Sequence, residues 1–375
     1  MTDNVKTSLL SVSQNNSKSD HETLFSVQNA ITAIRLGEPF LLEDNGNHHM
    51  CLGVDGINDK TFASFVNEQL GRSPLLILSS ERGGALGFYK TSPISMALSS
   101  SDTASSLYSI AASHPAKISR RPIHEQVDAK PALELLAKTK HLPACLFYSN
   151  VTNAQMLINR GVLVISNQSI ANYDAAKVRS LRRKSEAPIP VRGGINTRMV
   201  VFEYATGENE IALVVGKPDI TKELPIRIHS ACATGDIFGS ERCDCGDQLR
   251  LAIEKLDELG GGAVLYLDQE GRGIGLANKI RAYDLQDQSL DTVDANRTLG
   301  FADDMRDYAV AASMVRTLGW KAVSILTNNP NKVSALEKHN LDVIDRISHQ
   351  APMNEYNSHY LRTKAKRSGH MLKYK

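Results

Sequence analysis

The sequence lacks both a long apolar run and a strong net charge. No apolar stretch among its 375 residues approaches the roughly 20 residues that a membrane-spanning helix needs. The net charge at pH 7 is only +2, so the chain as a whole is not drawn to nucleic acid or to an anionic membrane. Hydrophobic residues make up 42% and charged residues 22%, a composition typical of a soluble globular protein. We therefore expect no nucleic-acid partner and no membrane partner.

Signals for secretion and for disulfide bonding are missing as well. Residues 1–23 are polar and rich in Ser and Asn, without the basic-then-apolar plan of a signal peptide, and they predict a disordered lead-in. The five cysteines are odd in number and three of them cluster, which argues against a disulfide framework. We expect a cytoplasmic protein with reduced thiols, in which Cys51 and Cys145 are ordinary packing residues.

The chain is long enough for two domains of ordinary size. Residues 24–174 alternate between short apolar strands and amphipathic helices. Residues 175–196 form a basic stretch followed by prolines and a Gly-Gly pair, which is typical of a linker between domains. Residues 197–375 repeat the order strand, loop, helix, and include a predicted helix over Asp303–Leu318. This order predicts an α/β (α+β) fold in two domains, with ligands at the edge of the second sheet.

Three of the cysteines lie within one short stretch of the second domain. Cys232 is followed by Cys243 and Cys245 as a Cys-x-Cys pair, and three thiols so placed can close on one Zn²⁺ ion. Structural zinc sites usually take four protein ligands, whereas catalytic sites take about three and leave a position for water. The spacing favours catalytic zinc no more than its alternatives, a loop pair without metal or a site closed by His229 as fourth ligand.

A glycine-rich loop, Gln269–Gly275, stands between a buried strand and a helix. Its glycines let backbone amides approach a ligand closely, and the start of the helix favours an anion. Lys279, Arg281 and Tyr283 follow on that helix. A phosphorylated substrate would account for these positive groups, and so would a solvated helix face. The polar run Thr327–Lys332 likewise suits either a ligand at the sheet edge or a helix cap.

Taken together, these segments resemble GTP cyclohydrolase II, the enzyme that opens riboflavin biosynthesis. The resemblance rests on RIHSACATGD, RCDCGDQL, YLDQEGRGIGLANKIRAYDLQDQ, DTVDANRTLGFADDMRDY and LTNNPNKV, which occur in the family's order. It implies a mixed-sheet domain that hydrolyses GTP to 2,5-diamino-6-(5-phospho-ribosylamino)pyrimidin-4-one, formate and pyrophosphate. It also implies one Zn²⁺ per subunit, Mg²⁺ with the triphosphate, and a homodimer.

The resemblance assigns roles to particular residues. It implies zinc ligands at Cys232, Cys243 and Cys245, with water in the fourth position. It implies a proton acceptor at Asp304, a proposed nucleophile at Arg306 and a role in ring opening for Tyr283. The implied GTP contacts are Arg227, Ile228, His229, Ser230, Ala231, Gln248, Glu270, Gly271, Arg272, Thr292, Thr327 and Lys332.

Two positions depart from the family's pattern. Many members have an acidic residue where Ala231 stands, and Asp268 occupies a position that is often basic. Neither is an expected zinc ligand, so the predicted activity stands, while a side-chain contact to substrate is lost at Ala231.

The first domain resembles 3,4-dihydroxy-2-butanone 4-phosphate synthase, which is often fused ahead of this cyclohydrolase. That enzyme needs an acidic cluster after its first strand to hold Mg²⁺ on a sugar phosphate. Here Glu43 and Asp44 remain, but the rest of the cluster is missing. We therefore predict a degenerate domain without synthase activity.

Three alternative functions stay open at the level of sequence. The chain could be a bifunctional enzyme that also makes 3,4-dihydroxy-2-butanone 4-phosphate, which the missing acidic cluster opposes. It could be a non-catalytic GTP-binding sensor, which the retained cysteines, Tyr283, Asp304 and Arg306 oppose. It could also be a relative that acts on another purine nucleotide or stops after ring opening.

Overall fold

The computed structural model describes residues 3–69, 71–88, 91–115, 122–353 and 367, with side chains from residue 18 onward. Contacts divide the chain into two compact units. The first unit comprises Met1–Lys177 and Ile280–Asp303, and the second comprises Val178–Lys279 and Asp304–Lys375. The first boundary falls inside the predicted linker. The structure differs from the sequence prediction in grouping Ile280–Asp303 with the first unit.

The helices and strands follow one another along the chain as the alternating pattern predicts. The helices are α1 (Asp3–Arg35), α2 (Asp59–Val66), α3 (Ser80–Ala85), α4 (Ala104–Ala112), α5 (Lys130–Lys138), α6 (Ala154–Asn159), α7 (Asn167–Ser180), α8 (Cys245–Glu258), α9 (Leu276–Asp287), α10 (Thr292–Thr298), α11 (Ala309–Leu318) and α12 (Pro330–Lys338). The strands are β1 (Phe40–Asp44), β2 (Asn47–Gly53), β3 (Leu75–Leu78), β4 (Ile94–Ala97), β5 (Ile123–Glu125), β6 (Ala144–Tyr148), β7 (Leu163–Ser166), β8 (Arg182–Pro188), β9 (Arg198–Glu203), β10 (Asn209–Gly216), β11 (Leu224–Ser230), β12 (Gly261–Leu267), β13 (Ala322–Leu326) and β14 (Asp342–Ile347).

In the first unit, a mixed sheet has the strand order β5-β4-β3-β6-β2-β1-β7. Neighbouring strands are antiparallel except for the pair β1 and β7. Helices α1, α5 and α7 contribute buried side chains to the core over this sheet. Cys51 and Cys145 lie in that core, as the sequence predicts.

Helix α1 replaces most of the predicted disordered lead-in. The helix begins at Asp3 rather than near residue 24. Leu24, Val27, Ile31 and Ile34 are buried at helical spacing and anchor its carboxyl-terminal part. The first 36 residues contain neither Pro nor Gly, so a helix nucleated on the core has no residue that stops its propagation.

The sheet of the second unit has the order β14-β13-β11-β12-β10-β9-β8. Strands β12, β11, β13 and β14 are parallel neighbours, and the other pairs are antiparallel, so the sheet is mixed as expected. Helix α11 covers one face and α8 the other. The carboxyl ends of β11, β12 and β13 therefore meet at one edge, where the cysteine segment, the glycine loop and Thr327 begin.

Strand β8 lies within the predicted linker. Every side chain of Arg182–Pro188 is exposed, which is why the stretch lacks the apolar alternation of a strand. Backbone pairing with β9 alone makes it a strand at the sheet edge. The predicted linker over residues 175–196 therefore includes the end of α7 and an edge strand.

The predicted helix over Asp303–Leu318 is too long by six residues, because α11 begins at Ala309. The side chain of Asp304 accepts a hydrogen bond from the backbone N–H of Arg306 (3.1 Å), and Asp307 accepts one from Ala309 (2.9 Å). Aspartate carboxylates that bond nearby amides compete with helix formation. Asp304 and Arg306 consequently lie in a loop. No helix in the described residues is both long and apolar enough to cross a membrane.

We predict that Cys51 and Cys145 resist a water-soluble thiol reagent in the native protein. Both residues are fully buried, and burial raises the pKa of each thiol. Thiolate formation and access are both required for reaction. Mass spectrometry of labelled peptides should find these two cysteines modified only after denaturation, when all five cysteines react. Modification of either one in the folded protein would contradict this placement.

Candidate metal centre and anion-binding site

Three thiols come together where β11 ends. Cys232 follows β11, Cys243 lies in the turn before α8, and Cys245 is the first residue of α8. The three sulfur atoms lie within 4.8 Å of one another, and Sγ of Cys232 is 3.7 Å from Sγ of Cys243. Zinc–sulfur bonds of about 2.3 Å in a tetrahedron put two sulfurs about 3.8 Å apart. The donors and their spacing therefore fit Zn²⁺.

Two glycines let the cysteine segment fold this tightly. A Cβ on Gly235 would lie 2.8 Å from Sγ of Cys243 and 3.0 Å from Cβ of Cys245. A Cβ on Gly246 would lie 2.4 Å from the carbonyl oxygen of Gly235. Any side chain at these positions would push the thiols apart, so the glycines of this segment shape the thiol cluster.

Lys279 joins the cysteine segment to the glycine loop. Its Nζ lies 3.0 Å from Sγ of Cys232, 2.8 Å from Oγ1 of Thr234 and 2.8 Å from Oε1 of Glu270. The other oxygen of Glu270 accepts a hydrogen bond from the backbone N–H of Ala233 (2.6 Å). Both charged side chains are about nine-tenths buried, at 9% and 11% exposure. The ion pair thus fixes the distance between the two segments.

The hydrogen bonds around Cys232 favour its ionised form. Hydrogen bonds from Cys243 and Cys245 hold the pKa of Cys232 far below its ordinary value, and hydrogen bonds from Thr234 and Lys279 lower it further. These contacts favour a thiolate in the cysteine cluster, which is the form that binds zinc.

His229 is held away from the cysteines by a carboxylate. Its Nε2 is 3.0 Å from Oδ2 of Asp236, which also accepts hydrogen bonds from the Tyr266 hydroxyl (3.0 Å) and the Cys232 backbone N–H (3.0 Å). Burial lowers the pKa of His229 in spite of Asp236, so the ring is neutral and Nε2–H donates. The metal-binding group among the described residues consists of the three cysteines, and His229 pairs with Asp236 instead.

Strand β11 separates polar from apolar side chains by simple alternation. Ile226 and Ile228 enter the core on the α11 side, while Arg227 bonds α8 on the other face through Gln248. Arg227 also donates to the carbonyl of Leu326 (3.0 Å), and burial lowers its pKa to about 10. Ile228 can therefore reach a ligand only through its backbone.

Polar atoms along β11 are left buried and unused. Nε of Arg227, Nδ1 of His229 and Oγ of Ser230 have no hydrogen-bond partner among the described residues. Buried polar atoms in proteins are nearly always paired. Arg227 and His229 lie on the same face of β11 and Ser230 ends the strand, so their unpaired atoms indicate a polar ligand at this end of β11.

The glycine loop is strained at Arg272. Gly271 and Arg272 both have left-handed backbone angles, with φ 64° and 61°. This conformation is uncommon for a residue other than glycine, and such strain concentrates at functional sites. The carbonyl of Arg272 accepts a hydrogen bond from the backbone of Met305 (3.0 Å), which brings the glycine loop beside the Asp304 loop.

Asp304 and Arg306 form an ion pair. Oδ1 of Asp304 accepts from Nε of Arg306 (2.8 Å), and Oδ2 accepts from Nη2 (2.5 Å). Partial desolvation of Asp304 raises its pKa, but the hydrogen bonds and charge of Arg306 outweigh this effect and lower the pKa of Asp304. The carboxylate is therefore ionised, and it orients the guanidinium.

Two of the cations approach the ring of one tyrosine. The Tyr308 ring is 5.8 Å from Cζ of Arg306 and 5.8 Å from Nζ of Lys332. Lys332 is buried and donates to the carbonyl of Ile228 (2.9 Å). The hydroxyl of Tyr308 has no partner among the described residues. Both cations therefore lie within cation–π range of the same ring, in one part of the site.

The remaining predicted residues have simpler surroundings. The hydroxyl of Thr327 accepts a hydrogen bond from the backbone of Asn329 (3.0 Å) in the turn before α12, as a cap would. Ala231 continues β11 and donates its backbone N–H to Leu267 (2.8 Å). Tyr283 lies on α9, and Thr292 is the first residue of α10. Their roles stay predictions.

Sequence reasoning left several contributors unassigned. Lys279 was only one of several positive groups near the glycine loop, and its nine-residue distance from Glu270 gave no sign of pairing. His349, which bonds the carbonyl of Gln248 (2.8 Å), stands outside every motif. Asp236 and Tyr266 act through His229. Only tertiary contacts reveal these four residues.

The fold and site define an α/β enzyme domain with a thiolate metal centre beside a strained glycine loop and buried cations. A family model described as GTP cyclohydrolase II matches residues 182–348. A GTP cyclohydrolase-2 of Azospirillum brasilense is 35% identical over 94% of this chain and 95% of its own. A riboflavin biosynthesis protein RibBA of Endomicrobium trichonymphae is 42% identical over 56% of this chain and 52% of its own.

The chain therefore belongs to the GTP cyclohydrolase II family. Among solved structures, it is similar to RibBX, a two-domain 3,4-dihydroxy-2-butanone 4-phosphate synthase from A. baumannii. That similarity has a TM-score of 0.32 at 14% identity, over 87% of this chain and 99% of the other.

We predict that Lys279→Met destabilises the protein by about 3–5 kcal/mol, because it leaves the buried Glu270 carboxylate uncompensated. The double variant Lys279→Met/Glu270→Gln should be more stable than the single variant, since residue 270 then carries no charge that lacks its partner. Lys255→Met is the matched control, because its pair with Glu258 is exposed and should contribute at most about 1 kcal/mol. Chemical denaturation measures all three. A double variant no more stable than Lys279→Met would contradict the charge argument.

Proposed function

We propose that this chain is a zinc-dependent GTP cyclohydrolase. It converts GTP to 2,5-diamino-6-(5-phospho-ribosylamino)pyrimidin-4-one, formate and pyrophosphate in riboflavin biosynthesis. The observation that carries the proposal is the three-thiol cluster, in which Sγ of Cys232 lies 3.7 Å from Sγ of Cys243. The second unit, which contains this cluster, also contains four buried or half-buried cations. These cations are Arg227, Arg272, Arg306 and Lys332.

Cys232, Cys243 and Cys245 would hold the zinc. When bound by three thiolates, zinc supplies an open position for a water whose pKa falls toward neutrality, as opening of the imidazole ring requires. Lys279 orients Cys232 through its hydrogen bond, and Glu270 holds Lys279. The side chain of Glu270 is thus engaged with the protein, so the glycine loop would contact GTP through backbone amides and through Arg272.

The triphosphate would be bound by charge, together with Mg²⁺. Arg272 and Arg306 belong to neighbouring loops, and Arg306 and Lys332 both approach the Tyr308 ring. A guanidinium keeps its proton at neutral pH, so Arg306 would stabilise phosphate charge rather than attack phosphorus. Asp304 is ionised and can accept a proton, although its lowered pKa makes it a weak base. Tyr283 would take part in opening of the imidazole ring.

The nucleoside would lie against β11. The unpaired atoms on Arg227, His229 and Ser230 can bond a polar ring, and Gln248 extends the same face through its bond with Arg227. Ile228 and Ala231 would contribute backbone only. Thr292 and Thr327 complete the set of proposed contacts.

The first unit would have no synthase activity. Glu43 and Asp44 end strand β1, and both bond the tight turn into β2: Glu43 accepts from the Gly46 backbone (2.9 Å), and Asp44 accepts from Asn45 (2.9 Å). Across the described residues, the cysteine cluster is the one group of three or more metal-ligating side chains. The A. brasilense relative, which matches along nearly its full length, is named for the cyclohydrolase alone. We further propose a cytoplasmic homodimer.

We predict that the zinc-loaded protein releases one formate and one pyrophosphate per GTP, with the ultraviolet change of a pyrimidine product. Cys243→Ser should lower formate release at least a thousandfold, because serine is a poor zinc ligand at neutral pH. The matched control is Cys145→Ser, which removes a buried thiol outside the metal group. Coupled enzyme assays measure formate and pyrophosphate separately.

The same assay separates the alternatives. GTP binding without turnover would favour a sensor and contradict the proposal. Pyrophosphate without formate would point to a failed zinc step. Formation of 3,4-dihydroxy-2-butanone 4-phosphate from ribulose 5-phosphate would establish the bifunctional enzyme instead.

We predict that Arg306→Lys lowers kcat for GTP about tenfold to a hundredfold. Lysine keeps the charge but cannot reproduce the two-pronged bond with Asp304, so the cation is poorly oriented. The matched control is Arg316→Lys, which lies on the exposed side of α11 and donates to the carbonyl of His339. Steady-state pyrophosphate release measures both variants. Full activity of Arg306→Lys would remove any specific role for the guanidinium.

A further inference from the structure

The segment Ile280–Asp303 contains two residues proposed for the reaction, Tyr283 and Thr292, yet it packs within the first unit. That unit otherwise consists of residues 1–177 and has no chemistry assigned to it. The contacts that hold this segment there lie at both of its ends.

Arg82 holds the end of α10. Its side chain is only 2% exposed, and it donates from Nη1 to the carbonyl of Thr298 (2.9 Å). Nε and Nη2 donate to the carbonyls of Ile110 (2.8 Å) and Ser113 (2.9 Å). The guanidinium therefore caps the carboxyl ends of α4 and α10 together, where helix dipoles favour a positive charge.

Ser79 holds the residue that follows α10. Its hydroxyl donates to the carbonyl of Gly300 (2.7 Å) and accepts from the backbone of Arg82 (3.2 Å) as the N-cap of α3. Gly300 has φ 82°, and a Cβ there would lie 3.0 Å from Pro143 and 3.0 Å from Oγ of Ser79. The turn after α10 is thus fitted closely to the first unit, four residues before Asp304.

Asp55 holds the amino-terminal end of the segment Ile280–Asp303. Its carboxylate accepts two hydrogen bonds from Arg281, at 2.8 Å and 2.9 Å, and its side chain is 10% exposed. Cζ of Arg281 also lies 5.6 Å from the ring centroid of Tyr108. A paired guanidinium–carboxylate bond of this kind fixes orientation as well as distance. Arg281 stands two residues before Tyr283.

We propose that the synthase-like first unit positions part of the cyclohydrolase machinery: Asp55, Ser79 and Arg82 hold the segment Ile280–Asp303 in the conformation that presents Tyr283 and Thr292 to GTP. The inference rests on the proposed function, because it takes these two residues to act on GTP. Asp55, Ser79 and Arg82 are positioning residues that act through the segment and do not touch substrate.

The test compares two loosened variants with two matched controls. Ser79→Ala removes a helix N-cap together with the bond to Gly300, whereas Thr103→Ala removes the N-cap of α4, which bonds Ser106 within its own helix. Asp55→Asn weakens the pair with Arg281, whereas Glu68→Gln weakens the pair of Glu68 with Arg160 inside residues 1–177. All four are made in the full-length, zinc-loaded protein, and circular dichroism confirms that each is folded.

Ser79→Ala and Asp55→Asn should each raise KM for GTP roughly two- to tenfold, the factor that one lost hydrogen bond typically costs, with little change in kcat. Amide hydrogen exchange should quicken in peptides that cover 280–303. Thr103→Ala and Glu68→Gln should leave both quantities at the wild-type level. Ser79→Thr, which keeps a hydroxyl, should restore KM.

Each remaining outcome has a definite meaning. Equal changes in KM across all four variants would reduce the effect to general stability and overturn the inference. An active wild-type protein with unchanged KM in Ser79→Ala and Asp55→Asn would overturn the inference alone. A folded, zinc-loaded wild-type protein that does not convert GTP would overturn the proposed function and this inference with it.

Discussion

The buried ion pair between Lys279 and Glu270 is the interaction on which the site depends. Charges removed from water are costly unless each finds its partner and further hydrogen bonds, and here both do. Lys279 contacts a thiolate and a hydroxyl of the cysteine segment, and Glu270 contacts a backbone amide of the same segment. Two loops that follow different strands are thereby held at one distance. The cysteine segment and the glycine loop are therefore one structural unit, so a change in the position of either alters the other.

Parallel strands make that arrangement possible. Strands β11, β12 and β13 end at one sheet edge, although the cysteine segment and Thr327 are almost 100 residues apart in sequence. Alternation along β11 then sends isoleucines to the core and the polar side chains of Arg227 and His229 to the opposite face. The strand both stabilises the sheet and supplies buried polar atoms that lack partners. A ligand that satisfies those atoms would gain the hydrogen bonds that the folded chain leaves unmade.

Much of this site could be predicted from the sequence, because its largest signals are local. Three cysteines in a short segment, a glycine run before a helix and a polar turn after a strand are each visible without contacts. Lys279 and His349 could not be found in that way, since Lys279 bonds Cys232 and His349 bonds Gln248, residues distant from them in sequence. The same limit applies to the fold. Strand β8 exists through backbone pairing alone, and the loop at Asp304 exists because a side chain bonds a nearby amide in place of the helix.

The first unit holds the segment Ile280–Asp303 through buried side chains. Glu43 and Asp44 bond the tight turn between β1 and β2. The buried guanidinium of Arg82 donates to carbonyl groups at the ends of two helices. Burial lowers the pKa of Arg82 to about 10, which still leaves it charged at neutral pH. A charged group that caps two helices at once couples their positions. If either helix moved, a buried N–H group of the guanidinium would lose its acceptor. The contacts of Arg82 therefore fix the position of α10, which begins at Thr292, relative to α4.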